Sequence, residues 1–149
     1  MDSRRVKPRP LFVLISLLII LSLSGCGNKK WPNVVAEEDT FSFERLTAGR
    51  EAGCLNLEDR LTGDIDNLRS VVLELESVED SCPDCPFRPT ERIFLEPSEP
   101  QLKREGSTIW ISHCGLNPDT SYRIRLAGLN EYPGIKESLS EVVTVGSVL

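Results

Sequence analysis

The stretch LNPDTSYRIRLAGLNEYPGIKESLS, residues 116–140, decides the fold. Pro118 and Asp119 are turn formers, because proline presets its own φ and aspartate bonds to backbone two residues on. Directly after them Tyr122, Ile124 and Leu126 alternate with Arg123 and Arg125, the period of two expected of a strand with one face buried. The same alternation recurs elsewhere, in FSFERL (41–46), CLNLE (54–58), SVVLELE (70–76), RIFLE (92–96), STIWISHC (107–114), SYRIRLAGLN (121–130) and SEVVTV (140–145). Gly, Pro, Asn and Asp gather between these runs, and no run of ten residues carries a helical stripe. Seven short strands over about 105 residues predict an all-β sandwich.

Residues 116–140 also resemble the fibronectin type III module, whose E–F turn and F strand read Leu-x-Pro-x-Thr-x-Tyr, then alternating apolar residues, Ala-x-x-Asn, a Gly and a Ser. The matching residues are Leu116, Pro118, Thr120, Tyr122, Ile124, Leu126, Ala127, Asn130, Gly134 and Ser138. The resemblance implies an immunoglobulin-like sandwich of about seven strands over residues 41–149, and a tyrosine corner at Tyr122. The first half departs from the family: CLNLEDRL has no tryptophan where strand B usually carries one, Trp110 stands on the proposed strand E, and residues 77–92 form a long, proline-rich C–C′ connection. Members mostly act as spacers or as protein- or glycan-binding modules. The binding loops it implies are B–C, around Asp64 and Asn67, and F–G, around Tyr132 and Pro133.

The amino terminus supplies the compartment. Arg4, Arg5, Lys7 and Arg9 precede the apolar run LFVLISLLIILSL (11–23), whose 13 residues fall short of the roughly 20 needed to span a bilayer. A charged start and a short apolar run ending at small residues are the marks of a secretory leader. The leader ends in LSGC (23–26), which resembles the lipobox of bacterial lipoproteins. That resemblance implies cleavage after residue 25, lipidation of Cys26, a tether over residues 26–40 and a stable membrane anchor made of acyl chains. Gly27, where an Asp would favour the inner membrane, implies the outer membrane facing the periplasm. Trp31 beside Lys29 and Lys30 suits the head-group level. CGNKKWP (26–32) is also distantly similar to the start of small lipoproteins that mature the lipopolysaccharide translocon, with Lys30 where they carry Gly, which implies a second, assembly-related role.

The leader holds four of the chain's 17 basic residues and one of its 23 acidic ones, so residues 26–149 carry 13 and 22, a formal charge of −9. That balance argues against nucleic acid and anionic lipid surfaces as partners. A second envelope protein or a glycan is the expected partner.

Four cysteines remain after Cys26: Cys54, Cys82, Cys85 and Cys114. An even number in an exported chain points to disulfides. If Leu55, Leu57, Ile109 and Ile111 face the core, Cys54 and Cys114 face outward. The type III resemblance places strands B and E side by side and antiparallel, which puts these two cysteines at one end of one sheet and leaves Cys82 to Cys85. The alternatives for SCPDCP (81–86) are redox chemistry and zinc. A redox CxxC normally opens a helix, whereas Pro83, Pro86 and Pro89 surround this one. Zinc would draw on Cys82, Cys85, Cys114 and the lone His113, without the second close pair that marks zinc ribbons. His113, in even register with Ile109 and Ile111, is expected at the core edge. Glu74 and Glu76 alternate with Leu73 and Leu75, which predicts the solvent face of an edge strand. No phosphate loop or nucleophile elbow appears, and neither a cofactor nor a catalytic residue is expected.

Overall fold

The structure is a computed structural model, and it describes residues 39–80 and 85–147. The leader, Cys26, the tether through residue 38 and Cys82 lie outside the described residues. The described chain forms β1 (Phe41–Phe43), β2 (Thr47–Glu51), β3 (Cys54–Gly63), β4 (Leu68–Ser77), β5 (Glu91–Leu95), β6 (Leu102–Glu105), β7 (Thr108–Cys114), β8 (Tyr122–Asn130), β9 (Ser138–Leu139) and β10 (Val143–Val145). Short 3-10 turns over Ile65–Asn67 and Val78–Asp80 flank β4.

Two antiparallel sheets result. In the first, β3 pairs with both β1 and β2 and then with β7, which pairs with β6; in the second the order is β10–β8–β4–β5, with β9 beside β8. This is an all-β sandwich of immunoglobulin-like order. Between the sheets lies a core supplied by alternate positions: Leu55, Leu57 and Leu61 of β3, Ile109 and Ile111 of β7, Val71, Leu73 and Leu75 of β4, and Ile124 and Leu126 of β8 are all 3% exposed or less. Each such aliphatic side chain contributes about 1.5–3 kcal/mol relative to exposure.

The expected run 41–46 is split. Phe43 pairs with Leu61 and Thr47 with Glu58, so three residues, Glu44 to Leu46, oppose two, Asp59 and Arg60: a β-bulge. The cause stands in β3. Asp59 occupies a core-facing position between Leu57 and Leu61, is 1% exposed, and its Oδ1 accepts the Arg45 amide at 3.0 Å. A side chain thus replaces the strand partner that the bulge removes. Burial pushes the Asp59 carboxyl above its ordinary range, with Glu141 adding to the rise, while the amides of Arg45, Arg60 and Glu44 oppose it.

Two glycines let β1 settle against its neighbours. Gly63 has φ +82°, and a Cβ there would collide with the Thr40 carbonyl; a Cβ on Gly128 of β8 would meet the Phe41 ring. β6 was not expected, because LKRE buries only Leu102. The turn before β8 forms as expected, with the Thr120 amide bonded to the Asn117 carbonyl and the Asp119 amide to Asn117 Oδ1. Tyr122 packs half-buried against the core, but the turn carbonyls of Asn117 and Pro118 are held by Arg50 Nη1, at 3.2 Å each, with its guanidinium 5.1 Å above the Tyr122 ring. The long Arg50 side chain thus clamps two carbonyls of this turn at once.

Cys54 and Cys114 are directly opposed in the β3–β7 register and joined by a disulfide, with Cα atoms 4.0 Å apart. Cys85 is disulfide-bonded as well. Because Cys114 is committed to Cys54, it is lost to any zinc set. His113 sits opposite Leu55 and is partly buried at the core edge.

Candidate functional site

The loop residues Asp64, Asn67 and Tyr132 meet at one pole, where the chain enters β1. Asn67 Nδ2 donates to the Asp39 carbonyl at 3.1 Å and to Asp64 Oδ2 at 3.0 Å, and Asn130 Nδ2 donates to the same Asp39 carbonyl at 3.1 Å. The Asp64 amide donates to the Thr40 carbonyl and the Glu131 amide to the Asn67 carbonyl. Arg104 of β6 adds a bond to the Ile65 carbonyl and an ion pair with Asp66 at 2.7 Å. The Asn67 amide group and one Asp64 carboxylate oxygen therefore take part in closing the pole. Tyr132 is held through its amide by Asn130 Oδ1, and its side chain stays 45% exposed.

A surface with more to offer a partner is the outward face of the second sheet. Strand alternation sends Val72 of β4, Ala127 of β8, Phe94 of β5 and Leu139 of β9 outward, and the register puts them in one line: Phe94 opposes Val72, Val72 opposes Ala127, and Ala127 opposes Leu139. Val72 and Ala127 are fully buried, whereas Phe94 and Leu139 remain 60% and 44% exposed. Beside this apolar row a depression of about 670 Å³ is lined by Ser70, Phe94, Leu129 and the turn Glu96–Ser98.

The next row along the same face is ionic. Glu74, opposite both Arg92 and Arg125, is 2% exposed. Its Oε2 accepts Arg125 Nε and Nη2 at 2.8 and 2.6 Å, and its Oε1 lies 3.0 Å from Arg92 Nε. Arg92 also approaches Glu137 at 3.6 Å. One row further, Arg123 Nη1 lies 3.1 Å from Glu76 Oε2 but aims its hydrogen at the Cys85 carbonyl, at 3.2 Å, which leaves that carboxylate oxygen with a charge neighbour and no directed hydrogen bond. Phe87 rests over both guanidinium groups, 5.7 Å from Arg123 and 4.7 Å from Arg125.

This corrects the reading of Glu74 and Glu76 as the solvent face of an edge strand. Both do point outward, but β4 is an inner strand between β8 and β5, and arginines from those neighbours together with Phe87 cover them. The segment after Cys85 is thus pinned to the sheet by cation–π contact and one carbonyl bond. The face as a whole offers an apolar row next to a neutralised, rigid ionic floor.

No protein-family model matches this chain, and no curated protein matches it.

Proposed function

We propose that the chain is a lipid-anchored protein of the bacterial envelope, held through Cys26 at the outer membrane and facing the periplasm, whose fibronectin type III-like sandwich is a non-catalytic binding module. The observation that carries the binding role is the row Phe94–Val72–Ala127–Leu139. Its inner members are sealed, while its ends hold much of the domain's exposed large apolar surface on one sheet face. Exposed apolar residues that line up rather than scatter mark interaction surfaces, and an aromatic with an arginine beside it is the composition of interface hot spots. Arg92 lies 5.9 Å over the Phe94 ring. The partner is another envelope protein, which covers Phe94 and Leu139 on docking. The lipobox-like stretch LSGC (23–26) supports the location.

A photoreactive side chain placed at position 94 or 139 of the full chain in native membranes should crosslink one discrete partner. The same group at Thr62, on the other sheet, should not. Phe94→Asp should abolish the adduct formed from position 139 while leaving the unfolding midpoint unchanged. Equal crosslinking from all three positions would reject the face. Cys26→Ser should release the protein into the soluble periplasmic fraction; a variant that stays membrane-bound would reject the anchor.

A further inference from the structure

The outward face of the first sheet carries a second arrangement, with different chemistry. Three outward rows cross it. Glu51, Cys54 and Cys114 form the first; Gly49, Asn56 and Ser112 form the second; Thr47, Glu58, Trp110 and Lys103 form the third. Gly49 has no side chain and open space around its Cα, so the second row is low at its edge. The result is a groove of about 340 Å³ running along β2, floored by Asn56 and walled by Thr47, Glu58 and Trp110. Its size falls within the range of about 300–1,000 Å³ typical of small-ligand sites.

The wall groups are held ready. Trp110 is partly buried, fixed between its cross-strand neighbour Glu58 and Lys103, whose ammonium lies 5.9 Å from the ring centre. Ser112 Oγ and Asn56 Oδ1 share a hydrogen bond of 2.9 Å, which orients the amide and leaves its hydrogens without a partner among the described residues. Thr47 Oγ1 donates to the Glu58 carbonyl at 3.2 Å, so its lone pairs remain to accept. Of the cations nearby, Lys103 pairs with Glu105 at 2.7 Å, while Arg50, which also lines the groove, donates through Nη1 to the Asn117 and Pro118 carbonyls and keeps a buried Nη2 without a hydrogen-bond partner among the described residues. Among the described residues no ion pair engages the Glu58 carboxylate.

A flat aromatic wall, an amide donor, a hydroxyl and a carboxylate acceptor, all on a rigid sheet, match a ring that has an apolar C–H face and a rim of hydroxyl groups. The local charge matches too: an uncommitted carboxylate favours a ligand rich in hydroxyl donors and repels an anionic one. We propose that this groove is a binding site for a neutral pyranose glycan, with one sugar ring against Trp110 and its hydroxyls bonded to Asn56, Glu58 and Thr47. The site lies on the sheet opposite the apolar row, so it stands or falls independently of that row.

The test is a titration of the full chain, in detergent micelles, with tetra-N-acetylchitotetraose and cellotetraose as neutral probes and tetragalacturonic acid as the anionic one, followed by the indole N–H resonances. The Trp110 resonance, identified by its loss in Trp110→Ala, should shift saturably with a neutral probe and stay still with the acid. For the variants, which lack this resonance, affinity is measured by isothermal titration calorimetry: Trp110→Phe, which retains an aromatic wall, should weaken binding by less than Trp110→Ala, whose loss should reach about tenfold, the ratio that a single aromatic contact supplies. Glu58→Gln should remove the discrimination against the acidic probe. If neither neutral probe shifts Trp110 at millimolar concentration, or if Trp110→Ala binds as well as the parent, the site is refuted. Preference for the acidic probe refutes it equally.

Discussion

Replacing Arg125 by methionine keeps a long side chain on β8 but withdraws both hydrogen bonds from Glu74 Oε2, at 2.8 and 2.6 Å. The carboxylate that remains is only 3% exposed and retains a single cation, Arg92 at 3.0 Å, which is itself 45% exposed. Breaking a buried, hydrogen-bonded ion pair from one side typically costs about 3–5 kcal/mol, because a charge is left in a place that water does not reach. Arg92 still neutralises part of it, so we expect the lower end, about 3 kcal/mol. The double variant Glu74→Met, Arg125→Met removes the charge with its partner and fills similar volume; it should lie within about 1 kcal/mol of the parent. The two side chains then show a coupling of about 2 kcal/mol or more in a double-mutant cycle. Equilibrium urea unfolding followed by far-UV circular dichroism measures all four corners. A loss below about 1 kcal/mol for Arg125→Met, or a double variant whose loss equals the sum of the two singles, refutes the view that Glu74 depends on its arginines.

Three other outcomes are expected. The Cys54→Ala, Cys114→Ala variant opens a loop with a sequence separation of 60, which by chain entropy should lower unfolding free energy by about 4 kcal/mol; a urea midpoint unchanged by reductant in the parent would contradict this. Asp59, whose folded-state pKa is raised, binds its proton more tightly in the folded protein than in the unfolded chain. Its contribution is therefore fullest at low pH and is lost as pH rises from the ordinary carboxyl value through the raised one. Asp59→Asn, which keeps an acceptor for the Arg45 amide, should flatten that slope in urea midpoints taken between about pH 4 and 7; an equally steep slope in the variant rules the assignment out. Gly63→Ala forces a side chain into φ +82° and against the Thr40 carbonyl, and should lower the thermal midpoint by several degrees, about 1–3 kcal/mol. Gly106→Ala has φ +58° but open space around it, so it should cost less; equal losses would show that the collision is unimportant.

The parts of this fold that were legible in the sequence are those in which a strand buries one face and exposes the other. The runs in β3 and β7 alternate cleanly, and their parity alone sends Cys54 and Cys114 outward. β2 and β6, TAGRE and LKRE, bury almost nothing. As edge strands they are held by backbone pairing to a neighbour, which leaves little trace in side-chain pattern. The ionic row was hidden for another reason. Glu74 between leucines and Arg125 between Ile124 and Leu126 each read as a solvent face, and only the pairing of β4 with β8 and β5 reveals that each charge lies opposite its counterion. The complementary runs LELE and RIRL were the available signal. The bulge was likewise announced by one residue, Asp59, standing where the alternation calls for a leucine. For the loop sites, the structure places Asp64, Asn67 and Tyr132 at one pole, but residue type alone did not reveal that the Asn67 amide serves the Asp39 carbonyl and is itself held by the Asp64 carboxylate.

The bonds at that pole would acquire a mechanical meaning under the proposed tethering ahead of Asp39 and docking of a partner on the second sheet. Tension would then enter at Asp39 and Thr40, immediately ahead of β1. The Asp39 carbonyl is shared by Asn67, ahead of β4, and by Asn130, at the end of β8. The Thr40 carbonyl is held by Asp64, just beyond β3. Force entering there would be divided between both sheets before it reached the core, so that the entry point of the chain would act as a strain relief for the domain.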